Sequence, residues 1–321
     1  MDEATPTPLP EGGENAIGVT LGLMGDEWTL LILRYAHQGV RRYADWRERL
    51  PISDSVLAAR LALLTAQGLL ERTAYQRRPL RYEYRLTRRG REFWPVLVAI
   101  WAWEHRWVEG RDASLPWMRH AVCGRHMQPR MACAACGETV EPRDVASRLG
   151  PSGGGGRSVP AAATRRRSGA AAGAGAGAGL FPETMALIGN RWSVMMLGAA
   201  FLGAHRFGEF RQMMGAPPAM VSDRLRTFTG LGVLAGEPSA DRADWTSYRL
   251  TAKGRAFFPV VMTAIDWGQR WFRAPDGPAL ESVHRACGRP FGPRLVCDGC
   301  GGALAEHDVL VEEAPAGATG R

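Results

Sequence analysis

Residues 52–69 read ISDSVLAARLALLTAQGL, and residues 84–90 read YRLTRRG. In the first stretch Val56, Leu57, Leu61 and Leu64 fall on one helical face, with Ser53 or Asp54 in front as a cap and Gly68 behind as a stop. Two β-like runs, 69–75 and 82–86, flank Gln76-Arg77-Arg78-Pro79-Leu80-Arg81, which predicts a hairpin with a basic tip. Both stretches return 164 residues later, as APPAMVSDRLRTFTGLGV at 216–233 and YRLTAKG at 248–254. The offset holds without a gap. Trp28 recurs as Trp192, Pro95 as Pro259, Trp103 and Trp107 as Trp267 and Trp271, and Cys133 and Cys136 as Cys297 and Cys300. A constant offset over more than a hundred residues means two equivalent units fused in tandem.

Working outward, residues 17–24 read as a short helix stopped by Gly25, and Asp26 caps a second helix over 27–36. A third helix over 42–50 ends at Pro51. Thr87 caps a long closing helix to about Trp107, with a kink expected at Pro95 inside it. A leading helix, three core helices, a hairpin and a closing helix describe a winged helix-turn-helix. There the fourth helix enters the major groove and the hairpin tip lies along the backbone. The same elements also describe a helical protein-interaction domain, so both readings stand at this point. The expected fold is mainly α with small β-hairpins (α+β): two winged helix-turn-helix domains, each followed by a small zinc-ribbon-like Cys/His module. The expected boundaries are a flexible N-terminus 1–14, copy one 15–110, module one 111–149, a Gly/Ala/Arg linker 150–179, copy two 180–274, module two 275–312 and a flexible C-terminus 313–321.

The length of 321 residues suits two domains. A net charge of +8 and a pI near 9.6 point toward a polyanionic partner, although solubility alone also accounts for them. Lys253 is the only lysine, and Arg bias with abundant Ala and Gly matches a GC-rich genome. No apolar run is long enough to span a membrane and the first residues do not resemble a signal peptide, so a cytoplasmic location is expected. The linker GPSGGGGRSVPAAATRRRSGAAAGAGAGAG has no apolar periodicity and reaches roughly 30 Å as coil. Its Arg165-Arg166-Arg167 is either a phosphate contact or a solvated basic spot.

The ordered series Gly25-x-x-Trp28-x-x-x-Ile32-Leu33, Arg42-Tyr43, Ile52-Ser53-x-x-x-Leu57-x-x-Arg60-Leu61, Gly68-Leu69 and Tyr84-x-Leu86-Thr87-x-x-Gly90 resembles the HxlR-type transcriptional regulators. The resemblance covers about 15–108 and 179–272. It implies a bacterial regulator, more often a repressor, that binds duplex DNA as a homodimer paired through its first and last helices. With two copies in one chain, it implies a single-chain pseudo-dimer, with a further dimer of chains left open. Val98, Ile100 and Trp101 and their counterparts Met262, Ala264 and Ile265 are the expected seam. Candidate DNA contacts are Arg42, Ser53, Asp54, Ser55, Arg60, Arg77, Arg78 and Arg81 in copy one, and Ser222, Arg224 and Arg242 in copy two. Arg60 repeats as Arg224, so it also fits a role in holding the fold through a carboxylate. Some regulators of this type sense electrophiles through a lone cysteine near the N-terminus. Here the first cysteine is Cys123, so that mode is not expected.

The copies differ in charge. Residues 72–91 hold eight arginines, whereas 236–255 hold Arg242, Arg249, Lys253 and Arg255 against Glu237, Asp241 and Asp244. Copy one is therefore expected to dominate DNA contact.

His120-x2-Cys123-x9-Cys133-x2-Cys136 repeats as His284-x2-Cys287-x9-Cys297-x2-Cys300 and uses all six cysteines. A Cys₃His set per copy suits one tetrahedral structural Zn²⁺ each, and glycine after Cys123, Cys136, Cys287 and Cys300 suits a knuckle turn. A reversible Cys133/Cys136 disulfide and buried bystander thiols are the alternatives. His126 is a poorer ligand because its counterpart is Pro290. The deaminase signature H-x-E with P-C-x-x-C fails, since Val122 and Ala132 occupy the deciding slots. No nucleophile–base set, phosphate-cradling loop or carboxylate pair repeats between the copies, so no enzyme is expected.

Overall fold

A computed structural model describes residues 5–111, 115–159, 181–238 and 245–312. Copy one runs β1 (Thr7–Pro8), α1 (Ala16–Met24), α2 (Glu27–His37), α3 (Tyr43–Arg49), α4 (Asp54–Ala66), β2 (Leu70–Arg77), β3 (Leu80–Leu86), α5 (Arg88–Arg91), α6 (Trp94–Trp107), β4 (Trp117–His120), β5 (Pro129–Cys133) and β6 (Val145–Leu149). Copy two runs α7 (Pro182–Ile188), α8 (Arg191–Phe201), α9 (Phe207–Met214), α10 (Pro218–Gly230), β7 (Leu234–Pro238), β8 (Thr246–Leu250), α11 (Ala252–Arg255), α12 (Phe258–Trp271), β9 (Phe272–Arg273), β10 (Leu280–His284), β11 (Pro293–Cys297) and β12 (Val309–Glu312). The fold is mixed α+β, with two helix-turn-helix units and a Cys/His cluster near each.

Local chemistry explains the elements. Asn15 Oδ1 accepts from Gly18 N at 3.1 Å and Asp26 Oδ1 from Trp28 N at 3.3 Å, so side chains cap α1 and α2. Leu57, Leu61 and Leu64 are fully buried, and α4 packs on α2 through that stripe. Gly90 recurs as Gly254 for a steric reason: a Cβ there would stand 2.1 Å from Leu69 O, and 2.2 Å from Val233 O in copy two.

Three expectations give way. The closing helix is not one kinked rod. It breaks into α5 and α6, and Pro95 sits in the first turn of α6, where its missing N–H costs nothing. The hairpin is longer than read, because β2 and β3 pair out to Arg77 and Leu80 and leave Arg78-Pro79 as the loop. The described start of the expected linker, residues 150–159, and part of the expected N-terminus are held in place. Asn15 Nδ2 donates to Ser152 O and Ser158 Oγ at 2.8 Å, Arg157 pairs with Asp276 at 2.5 Å, and Thr7–Pro8 pair in parallel with Phe272–Arg273. The Arg165-Arg166-Arg167 cluster lies outside the described residues. Among the described residues, no single helix is long and apolar enough to cross a membrane.

α6 and α12 pack on each other, with α1 on α12 and α7 on α6. The contacts are reciprocal. Phe93 meets Trp267 edge-on at 4.9 Å, and Phe257 meets Trp103 at 4.9 Å. Trp267 Nε1 donates to Arg89 O and Trp103 Nε1 to Lys253 O, both at 3.0 Å. Residue i touching j while j's counterpart touches i's is the signature of an isologous contact. Val98, Ile100 and Trp101 instead line a cavity toward the Cys/His strands, and Met262 packs on Met131 and Cys133. These contacts also cross between the copies, since Phe181, Val309 and Val311 share that cavity and Met131 and Cys133 belong to copy one.

One seam position has diverged. Glu104 is fully buried and accepts from Thr184 N at 3.1 Å and Thr184 Oγ1 at 2.5 Å, with Arg111 Nε at 3.7 Å. Its counterpart Gly268 meets Thr20, where any Cβ would lie 2.1 Å from Oγ1. Burial raises the Glu104 carboxyl above its ordinary range, although Thr184 and Arg111 pull the other way. The folded chain therefore holds that proton more tightly than the unfolded chain. The group's stabilising contribution is complete at low pH and falls as pH rises through the raised value. Glu104→Ala is expected to cost about 2–4 kcal/mol by orphaning Thr184. Glu104→Gln, which keeps an acceptor, should cost about 1 kcal/mol or less and flatten the pH dependence. Thermal melts of both variants from acid to neutral pH check this.

Candidate metal centres and nucleic-acid interface

The eight Cys/His residues converge in two clusters, but not as copy-by-copy sets. One holds His120, Cys123, Cys297 and Cys300; the other holds Cys133, Cys136, His284 and Cys287. Each centre takes its His-x2-Cys turn from one copy and its Cys-x2-Cys knuckle from the other. The reason is strand pairing. β5 runs antiparallel to β11 with Pro129 opposite Cys297 and Cys133 opposite Pro293. The knuckle that ends each strand is therefore delivered to the start of the other. The five residues of β5 set its two ends about 13 Å apart, too far for one shared ion. β4 with β12 and β6 with β10 complete the exchange.

In each cluster the ligand atoms lie within 4.8 Å of one another. Cys123 Sγ is 3.8 Å from Cys297 Sγ and 3.4 Å from His120 Nδ1, and Cys300 Sγ is 3.3 Å from that nitrogen. His284 Nδ1 is 3.3 Å from both Cys287 and Cys136. Tetrahedral Zn–S bonds of about 2.3 Å and Zn–N bonds of about 2.0 Å would set sulfurs about 3.8 Å apart and sulfur–nitrogen pairs about 3.5 Å apart, so the donor set fits a tetrahedral metal. Gly124, Gly137, Gly288 and Gly301 all take positive φ, and each N–H donates at 2.8 Å to the carbonyl four residues back. These are four copies of one knuckle turn, as the spacing predicted. The backbone N–H of Arg125, aided by His120, brings the Cys123 thiol down to about 7. His126 is no ligand: it stacks on Trp117 at 5.1 Å and lies 2.9 Å from Glu312.

The candidate DNA contacts divide. Arg77, Arg78 and Arg81 are exposed along the β2–β3 tip, and no ion pair to them occurs among the described residues. Arg42 is exposed and stacks over Tyr75 at 4.7 Å, and Arg72 stacks over Tyr82 at 3.6 Å. The other wing-segment arginines are committed elsewhere. Arg85 pairs with Glu83 at 2.6 Å, Arg88 pairs with Glu92 at 2.9 Å, and Arg89 is buried under the seam. Ser53 and Ser55 are exposed at the mouth of α4. Asp54 is exposed too, but Arg47 neutralises it at 2.9 Å and Tyr43 donates to it at 3.0 Å.

Arg60 and Arg224 are each held by a carboxylate of their own copy. Arg60 pairs with the α2 cap Asp26. In copy two Asn190 stands in the place of Asp26, and Arg224 turns to Asp223 and, at 3.2 Å, to Ser193. Arg242, with Asp241 and Asp244, lies outside the described residues.

One residue was missed. Arg226 lies one turn beyond Ser222 on the exposed face of α10, its side chain 80% exposed and only loosely paired with Asp223 at 3.8 Å. The matching face of α4 is Ala58, Ala59 and Ala62, all exposed. The i, i+4 spacing of Ser222 and Arg226, off the buried stripe Val221, Leu225 and Phe228, carries the signal. Copy one thus carries a basic hairpin tip, and α10 of copy two a polar exposed face where α4 has alanines.

An HxlR-like helix-turn-helix family profile matches residues 23–112 and 187–276, more than half of the chain. An HTH-type transcriptional regulator of Mycobacterium tuberculosis, itself uncharacterised, is 38% identical over 133 residues, covering 41% of this chain and 84% of that one. One from Synechocystis is 36% identical over 111 residues, covering 34% and 82%. A solved structure from Pseudomonas aeruginosa, titled as a candidate transcription factor, is 38% identical and covers 39% of this chain and 85% of its own, with a TM-score of 0.32. On the two profile matches, the chain belongs to the HxlR-like helix-turn-helix family and carries its domain twice.

Proposed function

We propose that the chain is a cytoplasmic, sequence-specific duplex-DNA-binding transcriptional regulator, acting as a repressor and as a single-chain pseudo-dimer. The observation that carries this reading is the reciprocal α6–α12 seam, which joins two winged helix-turn-helix units as two subunits of a dimer would be joined. His120, Cys123, Cys297 and Cys300 would hold one structural Zn²⁺ and Cys133, Cys136, His284 and Cys287 a second, and each would tie the outer strands of one copy to those of the other. The metal's contribution is cross-linking; four protein ligands leave no open position for water.

The copies divide the work. The copy-one wing supplies phosphate contacts through Arg77, Arg78 and Arg81, with Arg42, Ser53 and Ser55 beside it. Copy two reads base edges with Ser222 and Arg226. Because the halves differ, the operator need not be a palindrome. The test is a genomic footprint followed by titration of the protected duplex across salt concentrations. Specific binding should fall steeply with salt, as counterion release requires. Salt-insensitive binding, or none, would reject the reading in favour of a protein-docking module. A reporter driven by the protected promoter should be lower with the protein present; a rise would make it an activator.

A further inference from the structure

A cavity of about 110 Å³ lies between α2, α6, β4 and the 306–311 stretch of copy two. Its walls are mostly apolar, with Leu30, Leu97, Trp94, Trp101, Met118 and Val309 among them. One cation faces it. Arg34 is half-buried on the wall, and among the described residues nothing accepts a hydrogen bond from its guanidinium; the nearest recorded partner is the Tyr35 ring at 5.8 Å. The carboxylate at hand, Glu306, is engaged by His37 at 2.8 Å. A charged group in an apolar wall is normally paired, so this one lacks an anion.

The duplication supplies a control. In copy two Gly198, Phe201 and Leu202 replace Arg34, His37 and Gln38. There Phe201 and Phe258 pack at 5.5 Å, and Phe258 joins Met131, Val140 and Met262 in a buried cluster. The same fold therefore fills this space with aromatic side chains in copy two, and copy one keeps it open with a cation. An apolar cavity of about 150 Å³ accepts benzene, so at about 110 Å³ this one takes at most a single ring. The two tryptophan walls favour an aromatic ring over a chain.

We infer that this cavity binds a small monocyclic aromatic carboxylate, the ring among the apolar walls and the carboxylate on Arg34. Resting on the DNA-binding reading, such an occupant would touch both copies and shift their spacing, and hence duplex affinity.

The experiment titrates the full chain, without DNA, with benzoate, with its neutral analogue benzamide and with hexanoate, by calorimetry and by the fluorescence of Trp94 and Trp101. Benzoate should bind saturably, one per chain, at least tenfold more tightly than either of the others. Arg34→Gln should weaken benzoate at least tenfold and leave benzamide unchanged. Leu97→Trp, which fills the cavity and keeps the cation, should abolish binding; thermal melts verify that both variants fold. Absence of saturable benzoate binding, equal binding of benzamide or hexanoate, or wild-type affinity in Arg34→Gln would overturn the assignment. No DNA is present, so failure of the DNA reading leaves this result intact. A benzoate-dependent shift in duplex affinity that Arg34→Gln removes supports the regulatory role, and no shift overturns that role.

Discussion

Cys123→Ser with Cys300→Ser is expected to leave about one zinc per chain, and Cys123→Ser with Cys136→Ser almost none. The first pair lies in one centre; the second takes a ligand from each. If each copy bound its own metal, the outcomes would be reversed, because Cys123 and Cys136 would then share an ion. Elemental analysis of protein purified without added metal reads the result directly. Zero metal in the wild type, with thiols oxidised in pairs, would replace zinc with disulfide chemistry. The effect on stability should also be large. A structural zinc contributes on the order of 10 kcal/mol of folding free energy, and each ion here bridges ligands more than 140 residues apart in sequence. Chelation is therefore expected to lower the melting temperature by more than about 10 °C. It should also loosen the β5–β11 pairing, which hydrogen exchange of the Arg130, Ala132, Arg294 and Val296 amides would report.

Arg77→Ala with Arg78→Ala should weaken binding to every duplex alike, and Arg226→Ala should instead relax discrimination between duplexes. Each lost phosphate contact removes about one unit from the slope of log affinity against log salt. The double variant should therefore lose about two units and roughly 10- to 100-fold in affinity at moderate salt. Arg226→Ala should change the slope little and cost about 1–3 kcal/mol only on the footprinted site. Arg242→Ala should matter least, since Asp241 and Asp244 flank it in sequence. Equal losses from the wings of both copies would show a conventional pair and remove the division of labour. A purely electrostatic Arg226 effect, the same on all sequences, would move base readout elsewhere.

Much of the molecule was legible before its structure. The caps Asp26 and Thr87, the stripe Leu57, Leu61 and Leu64, the glycine stops and the knuckle glycines act over a few residues, so sequence spacing alone carries them. The repeat told which residues mattered to both copies, and so correctly named all eight clustered Cys/His residues. Its offset compares a residue with its counterpart and says nothing about which copy touches which. Partition of the ligands was settled by hydrogen bonding between β5 and β11, and the seam by the phase at which α6 meets α12. Arg60 and Arg34 make the same point in side chains. Both are arginines on core helices, yet one meets Asp26 and the other faces a cavity whose carboxylate, Glu306, is held by His37. Local order follows from short-range sterics and capping, which a sequence spells out; long-range partners depend on which surfaces are buried together, and only the tertiary structure decided that.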